Sequence, residues 1–258
     1  MLVTGASGYL GGAVAALCGA VPAPRTDVRD LAALSALFAS VRPATVIHTA
    51  TVLGNNGGSP EDLWAVVAAG AANVAVAARS AGARLVHVSS DAVFAGRDTP
   101  YTEADAPSPV FEYGAAKAAA EEAVAAVDPG AAIVRTSLIV SGGRGPLSRH
   151  EQTCLALASG VTAGALFTDE IRCPIAVDDL AAFVVALAAT DHAGVLNIAG
   201  PEALSRHDLG VRVAARHGVD PSRVPASTIA ASGLTRPARV VLDSSAAGKL
   251  LGLAARTV

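Results

Sequence analysis

The chain has 258 residues, a formal charge of −3 and a pI near 6.0. That balance excludes a general nucleic-acid binder, which needs a basic surface to release counterions. Hydrophobic residues make up 52% and charged residues 16%, so the chain can bury a large core and is not a disordered segment.

The three cysteines, Cys18, Cys154 and Cys173, form no CxxC pair. They suggest neither a disulfide framework nor a zinc knuckle, and a reducing cytoplasm is the expected home. No clustered metal ligands are visible, so no metal is expected. The apolar stretches read as interrupted by Gly, Asn, Asp or Arg before the roughly 20 residues a spanning helix needs. The first residues run directly into Leu2-Val3-Thr4-Gly5 with no basic segment, which argues against a signal peptide and for a chain complete at its N-terminus. No membrane partner is expected.

Short β-branched runs alternate with longer Ala-rich stretches. Strands are predicted at 1–3, 45–48, 85–88, 132–135 and 195–198, and helices at 10–18, 64–80 and 113–126. This alternation predicts an α/β fold with a Rossmann-type, doubly wound parallel sheet. Segments from about 140 to 172 and from about 200 to 237 are richer in Gly, Ser and charge. They follow late strands, where open α/β sheets place their ligand crevice. The expected organisation is a dinucleotide-binding domain over 1–139 and a first part of a small, discontinuous substrate lobe over 140–172. The chain then returns to the sheet over 173–199, and 200–258 forms the second part of the lobe and the C-terminal segment. Asp178 and Asp179 are expected to cap a helix, Trp64 to pack one, and His48 and His87 to sit at the core edge.

The turn Thr4-Gly5-Ala6-Ser7-Gly8-Tyr9-Leu10-Gly11 places glycines between the first strand and a helix. Glycine there permits backbone angles closed to other residues and close approach to a pyrophosphate. The following helix offers free N–H groups and a partial positive charge. No Gly-Lys-Ser/Thr follows, which excludes a P-loop. After the short second strand, Asp27 can reach an adenine. Arg25 is placed to meet a 2′-phosphate, which would favour NADP(H) over NAD(H); the alternative is a solvated turn residue.

Tyr113 and Lys117 are four residues apart, hence on one helix face. A Tyr hydroxyl is a weak acid near neutral pH unless a cation lowers its pKa. Lys117 could supply that cation and also bind a ribose. Ser89-Ser90-Asp91 ends a strand, where a hydroxyl can hold a carbonyl oxygen or simply cap the next turn.

These segments resemble those of the extended short-chain dehydrogenase/reductases, and within them the dTDP-4-dehydrorhamnose reductases and their relatives. TGASGYLGG (4–12), DVRD (27–30), PATVIHTAT (43–51) and ARLVHVSSDAVFAG (83–96) carry the likeness. So do YGAAKAAAEE (113–122), IVRTS (133–137) and RCPIAVDDLA (172–181). The resemblance implies Tyr113 as general acid, Lys117 as its pKa-lowering and ribose-binding partner, and Ser90 as the catalytic hydroxyl. It implies Gly5, Ser7, Gly8, Tyr9 and Leu10 on the pyrophosphate side and Asp27 and Val28 at adenine. Thr49, Ala50 and Thr51 would lie at ribose and nicotinamide. The chain departs from the family at Ala92, where an aromatic is usual, and at Val67, where Asn is frequent; Asn73 is retained.

The implied function is reduction of a small-molecule ketone, on a nucleotide-linked deoxysugar or a natural-product intermediate. The alternatives are a sugar-nucleotide epimerase or dehydratase and a non-catalytic NADP-binding regulatory subunit. A homodimer is expected by analogy with the family.

Overall fold

The computed structural model describes residues 1–22, 24–52 and 59–258. Six parallel strands form the central sheet: β1 (Leu2–Thr4), β2 (Val21–Pro22), β3 (Thr45–His48), β4 (Arg84–Val88), β5 (Ala132–Arg135) and β10 (Gly194–Asn197). Their order across the sheet is β10-β5-β4-β3-β1-β2. All four residues of β3 and of β5 are buried. That is why these strands read as near-continuous apolar runs and not as alternations. β2 is an edge strand ending at Pro22, a position where a residue without an N–H costs no ladder bond.

Alternate residues serve two cores. On one face Val3, Ile47, Val86 and Val134 pack against α1 (Tyr9–Cys18) and α7 (Val177–Ala188), through Val14, Leu180 and Val184. On the other, Leu2, Val46, Leu85 and Ile133 meet α2 (Leu31–Val41), α4 (Gly70–Ser80) and α5 (Glu112–Val127). Phe38 of α2 is completely buried there, and truncating it to Ala would cost about 3–5 kcal/mol.

Helix α4 continues α3 (Pro60–Trp64) through a π-helical turn over Ala65–Ala69. The combined run, Pro60–Ser80, is long and apolar enough to cross a membrane by length and composition, which corrects the expectation of shorter stretches. Its Ala71, Val74, Ala75 and Ala78 face is packed in the core. Trp64, expected to be packed, is 41% exposed. Asp178 and Asp179 lie inside the first turn of α7 with no side-chain cap on that helix, and Asp179 instead pairs with Arg256 at 2.6 Å. His48 and His87 are fully inside the core, each 1% exposed, and not at its edge.

A third apolar cluster lies beyond the carboxyl ends of β5 and β10. It joins β6 (Ile139–Val140), α6 (Arg149–Ala158) and β7 (Leu166–Phe167) to β11 (Leu204–Ser205) and α8 (Arg206–Arg216). Its buried members include Val140, Cys154, Leu157, Leu166, Leu209 and Val213. Two short strands, β8 (Ile171–Arg172) and β9 (Ile175–Ala176), tie this cluster back, β8 to β11 and β9 to β6. The last stretch leaves it again. After β12 (Ala226–Ser227) and α9 (Ile229–Ser232), α10 (Ser245–Leu251) places Ala247 in the core beside α7.

Candidate active site

Strand order reverses at β1, which has β2 on one side and β3 on the other. Such a switch point opens a crevice between the loops that follow the two strands. The glycine turn follows β1, and Thr49-Ala50-Thr51 follows β3.

The turn fits a dinucleotide for reasons visible atom by atom. Gly5 has φ +80°, and a Cβ there would lie 2.6 Å from the Ala50 nitrogen. A Cβ on Gly11 would lie 2.2 Å from the Gly5 carbonyl oxygen. These two contacts bring helix α1 and the β3 loop tight against the turn. Gly8 caps α1 without a side-chain acceptor, so the first N–H groups point outward unpaired by any side chain. Thr49 donates from Oγ1 to the Thr4 carbonyl at 2.9 Å, fixing the loop opposite. Ser7 is exposed on the turn. Leu10 is 7% exposed and belongs to the core beside Val14, so it faces the crevice with its backbone alone. The Tyr9 hydroxyl donates to the Pro146 carbonyl at 2.9 Å, and burial pushes its pKa up to about 12.

The loop expected to meet the adenine is organised by Arg29, a residue of the DVRD segment with no separate sequence signal. Arg29 binds the Asp27 carboxylate at 2.7 Å and Asp62 of α3 at 3.1 Å. Hydrogen bonds from Arg29 hold the Asp27 carboxyl below its usual range. Val28 is buried, and its carbonyl accepts from Asn73 Nδ2. Arg25 is exposed.

The candidate chemical centre lies at the carboxyl ends of β3 and β4. Ser90 accepts from the Ala92 nitrogen at 3.2 Å, capping a 3₁₀ turn over Asp91–Val93. The cap reading of Ser-Ser-Asp is met, at a position just past the end of β4. Gly114 brings α5 against this turn, since a Cβ there would lie 2.1 Å from the Ala92 carbonyl oxygen. The preceding residue, Tyr113, is thereby set close to Ser90 and Thr51, whose side chains act to lower its pKa. Its ring packs with Val52, Leu63, Val67 and Ala116, so Val67 walls the phenol. Tyr113 as a whole is half-buried. Burial pushes the Tyr113 pKa up to about 12 against those two side chains.

Lys117 Nζ donates to the Val88 carbonyl at 2.9 Å. Burial pulls its pKa down to about 8, opposed by the Glu121 carboxylate. The expectation that Lys117 lowers the Tyr113 pKa is not met in this structure. Desolvation dominates and keeps the phenol protonated at neutral pH.

Sequence reasoning missed the buried polar groups around this centre. Asp91 accepts from Ser137 Oγ at 2.6 Å and lies 3.8 Å from Arg172. Burial raises its pKa in spite of Arg172. Ser89, Glu121 and Arg135 form a second buried group. In the lobe, Arg206 meets His150 Nδ1 at 3.3 Å, while Arg144 and Arg149 are exposed. Arg172 and Arg236 both approach the buried Glu170, at 3.4 and 3.8 Å.

A glycine turn at a switch point, with Ser, Tyr and Lys side chains gathered at the neighbouring strand ends, defines a Rossmann-type enzyme site of the short-chain dehydrogenase/reductase kind. Comparison with known proteins makes the assignment specific. The RmlD substrate binding domain family matches residues 1–257, and the chain belongs to that family, an oxidoreductase within the extended short-chain dehydrogenase/reductases. It is 32% identical over 253 residues to a dTDP-4-dehydrorhamnose reductase of Mycobacterium tuberculosis, covering 92% of this chain and 81% of that one. It is 27% identical over 285 residues to methionine adenosyltransferase 2 subunit beta of Rattus norvegicus, covering 100% and 84%. Among solved structures it superimposes on a dTDP-4-dehydrorhamnose reductase of Bacillus anthracis in complex with NADP. That match has a TM-score of 0.85 at 26% identity, over 99% of this chain and 93% of the other.

Proposed function

We propose that this protein reduces a keto group on a sugar nucleotide, dTDP-4-dehydrorhamnose in the first instance, using NADP(H) in preference to NAD(H). The observation that carries the reading is the placing of Tyr113 close to Ser90 and Thr51, one helical turn from Lys117, where Gly114 brings α5 against the end of β4. They stand at the open end of the sheet, next to the crevice.

The residues fit the cofactor. The Gly5–Gly11 turn accepts a pyrophosphate at the α1 N-terminus, and the Val28 loop accepts the adenine end. Arg25, exposed after β2, supports the 2′-phosphate preference. A bound nicotinamide supplies a hydride to the carbonyl carbon. Ser90 and Thr51 hold the carbonyl oxygen. Tyr113, kept protonated by burial, gives its phenolic proton to that oxygen as charge develops there. Lys117 holds the ribose hydroxyls and stabilises the tyrosinate left behind, so its charge matters after transfer more than before. The proposed lobe of residues 140–172 and 200–258 lies beyond the strand ends, and its arginines suit an anionic, nucleotide-linked substrate.

The relation to a methionine adenosyltransferase beta subunit favours a second reading, a nucleotide-binding subunit without turnover. The full Ser90-Tyr113-Lys117 set speaks for turnover. A dehydratase is disfavoured because Asp91 is bonded to Ser137 and faces Arg172, and Ala92 follows it.

The test is oxidation of NADPH by purified protein given dTDP-4-dehydrorhamnose. Tyr113→Phe is expected to lower kcat by about 10²–10⁴ with cofactor affinity retained. Tight nicotinamide binding with no turnover of any sugar-nucleotide ketone would move the assignment to the regulatory reading.

A further inference from the structure

Glu121 follows Lys117 by one turn on α5, and both side chains are buried. Every oxygen of the Glu121 carboxylate is engaged. Oε1 accepts from Ser89 Oγ at 2.6 Å and from Arg135 Nε at 3.1 Å. Oε2 accepts from Arg135 Nη2 at 2.8 Å and from Nε at 3.1 Å. Arg135 is fixed in turn, donating from Nη1 to the Asp105 carbonyl at 3.0 Å, with its guanidinium over the Phe94 ring at 5.0 Å.

The cluster joins the end of β4, the end of β5 and the middle of α5. Its attachment point on β4, Ser89, lies between Val88, whose carbonyl receives Lys117, and Ser90. A buried ion pair gives little net stability over apolar residues of the same shape. Its position against the reacting groups therefore asks for another account.

We propose that Glu121 is a positioning residue for carbonyl reduction: clamped by Arg135 and Ser89, it keeps Lys117 charged and holds the Ser89–Ser90 corner in line with Tyr113. The role in reduction rests on the function proposed above; the effect on Lys117 does not. Four titratable groups face or flank Lys117: Glu121 and Tyr113 on α5, His48 on β3 and His87 on β4. The two imidazoles are driven to the neutral form by burial and by Lys117 itself. Tyr113 is held protonated. Among the described residues, Glu121 is left as the negative charge that Lys117 feels.

The chain contains two lysines, Lys117 and Lys249. Selective ¹³C labelling of lysine thus gives two side-chain signals by NMR, and Lys249→Arg assigns them. Lys117 is expected to titrate near pH 8 in the wild type. In Glu121→Gln it is expected to titrate lower by roughly one unit, and in Glu121→Asp close to the wild-type value. An unmoved Lys117 in folded Glu121→Gln overturns the proposal. If Glu121→Gln does not fold, Arg135→Lys decides the point, because it loosens the clamp and keeps both charges; made in the Lys249→Arg background it leaves two lysine signals, of which the one absent from Lys249→Arg alone is the new lysine. A displaced Lys117 titration supports the proposal and an unmoved one overturns it.

The activity arm uses Ser89→Ala, which leaves the carboxylate charged. A tenfold or greater fall in kcat at near-constant KM, with Lys117 still titrating normally, is the expected mark of lost alignment. Wild-type kcat in that variant overturns the alignment role. The NMR arm needs no substrate, so an inactive wild type would sink the proposed reaction without touching the Lys117 result.

Discussion

Asn73 of α4 donates its side-chain amide to the carbonyls of Val28 and Arg29, at 3.1 and 3.2 Å, across 45 and 44 residues of sequence. One helix thereby holds the Val28–Arg29 loop, the proposed adenine site. Three residues earlier, Gly70 lets that loop sit close, since a Cβ there would lie 2.6 Å from Val28 Cγ2. Gly70→Ala sets a gain in helix propensity of about 1 kcal/mol against an overpacking cost of about 1–3 kcal/mol. Val28 is β-branched and stiff, so the loop moves. NADPH and NADH affinity should both fall about tenfold while the melting temperature changes little, read by fluorescence titration and thermal unfolding.

Arg25 and Arg29 should separate in the same titration. Arg29 anchors the loop to Asp27 and Asp62, so Arg29→Ala should weaken both cofactors alike. Arg25→Ala should weaken NADPH about tenfold, roughly 1.4 kcal/mol, and leave NADH unchanged. Equal loss for both cofactors in Arg25→Ala would reassign the 2′-phosphate contact.

Lys117 should be costly to the fold. Its pKa falls from the ordinary 10.5 to about 8 because burial penalises the ammonium. Below pH 8 the folded and unfolded chains both carry the proton, and the folded chain bears the whole penalty. Between pH 8 and 10.5 the unfolded chain binds more protons, so stability rises with pH across that window. Lys117→Met should therefore be inactive yet more stable at pH 7, by at most on the order of 3 kcal/mol. Its advantage over the wild type should shrink as pH approaches 10.5 in denaturant titrations.

The stacked His48 and His87 rings, 5.2 Å apart, predict an acid weakness. Burial lowers both pKa values, that of His48 to about 3. As pH falls below 6.5 the unfolded chain takes up protons that the folded chain refuses, so stability drops. Each imidazole contributes about 1.4 kcal/mol per pH unit. Among the described residues, neither ring nitrogen of His87 has a partner. His87→Leu should thus be tolerated at pH 7 and should lose about 2 kcal/mol less than the wild type between pH 7 and 5. An identical acid slope in the variant would show that His87 is protonated in the folded state.

Features that were legible in the sequence are those fixed locally. Strands 45–48 and 132–135 were read to the residue because burial on both faces leaves an uninterrupted β-branched run. The glycine turn was legible from its spacing, and Tyr113 and Lys117 from their shared helix face. Helix α2 was not read, although Asp30 caps it by accepting from the Ala33 nitrogen at 2.9 Å; its Ala-rich pattern has little contrast between faces. Glu121 and Arg135 stand 14 residues apart on a helix and a strand, and no spacing rule joins them. Arg29 carries no sequence signal of its own, because its partner Asp62 stands 33 residues away and only the fold brings it near. The pKa of Tyr113 was misjudged because spacing reveals a neighbouring cation but not the depth of the hydroxyl.

The sheet order also sets a timetable for synthesis. β10, the strand that pairs with the outer side of β5, is translated roughly 60 residues after it, once the lobe segments that intervene have been made. At about 5–20 residues per second, the nascent chain carries β5 as an open edge of Ala132-Ile133-Val134 for several seconds.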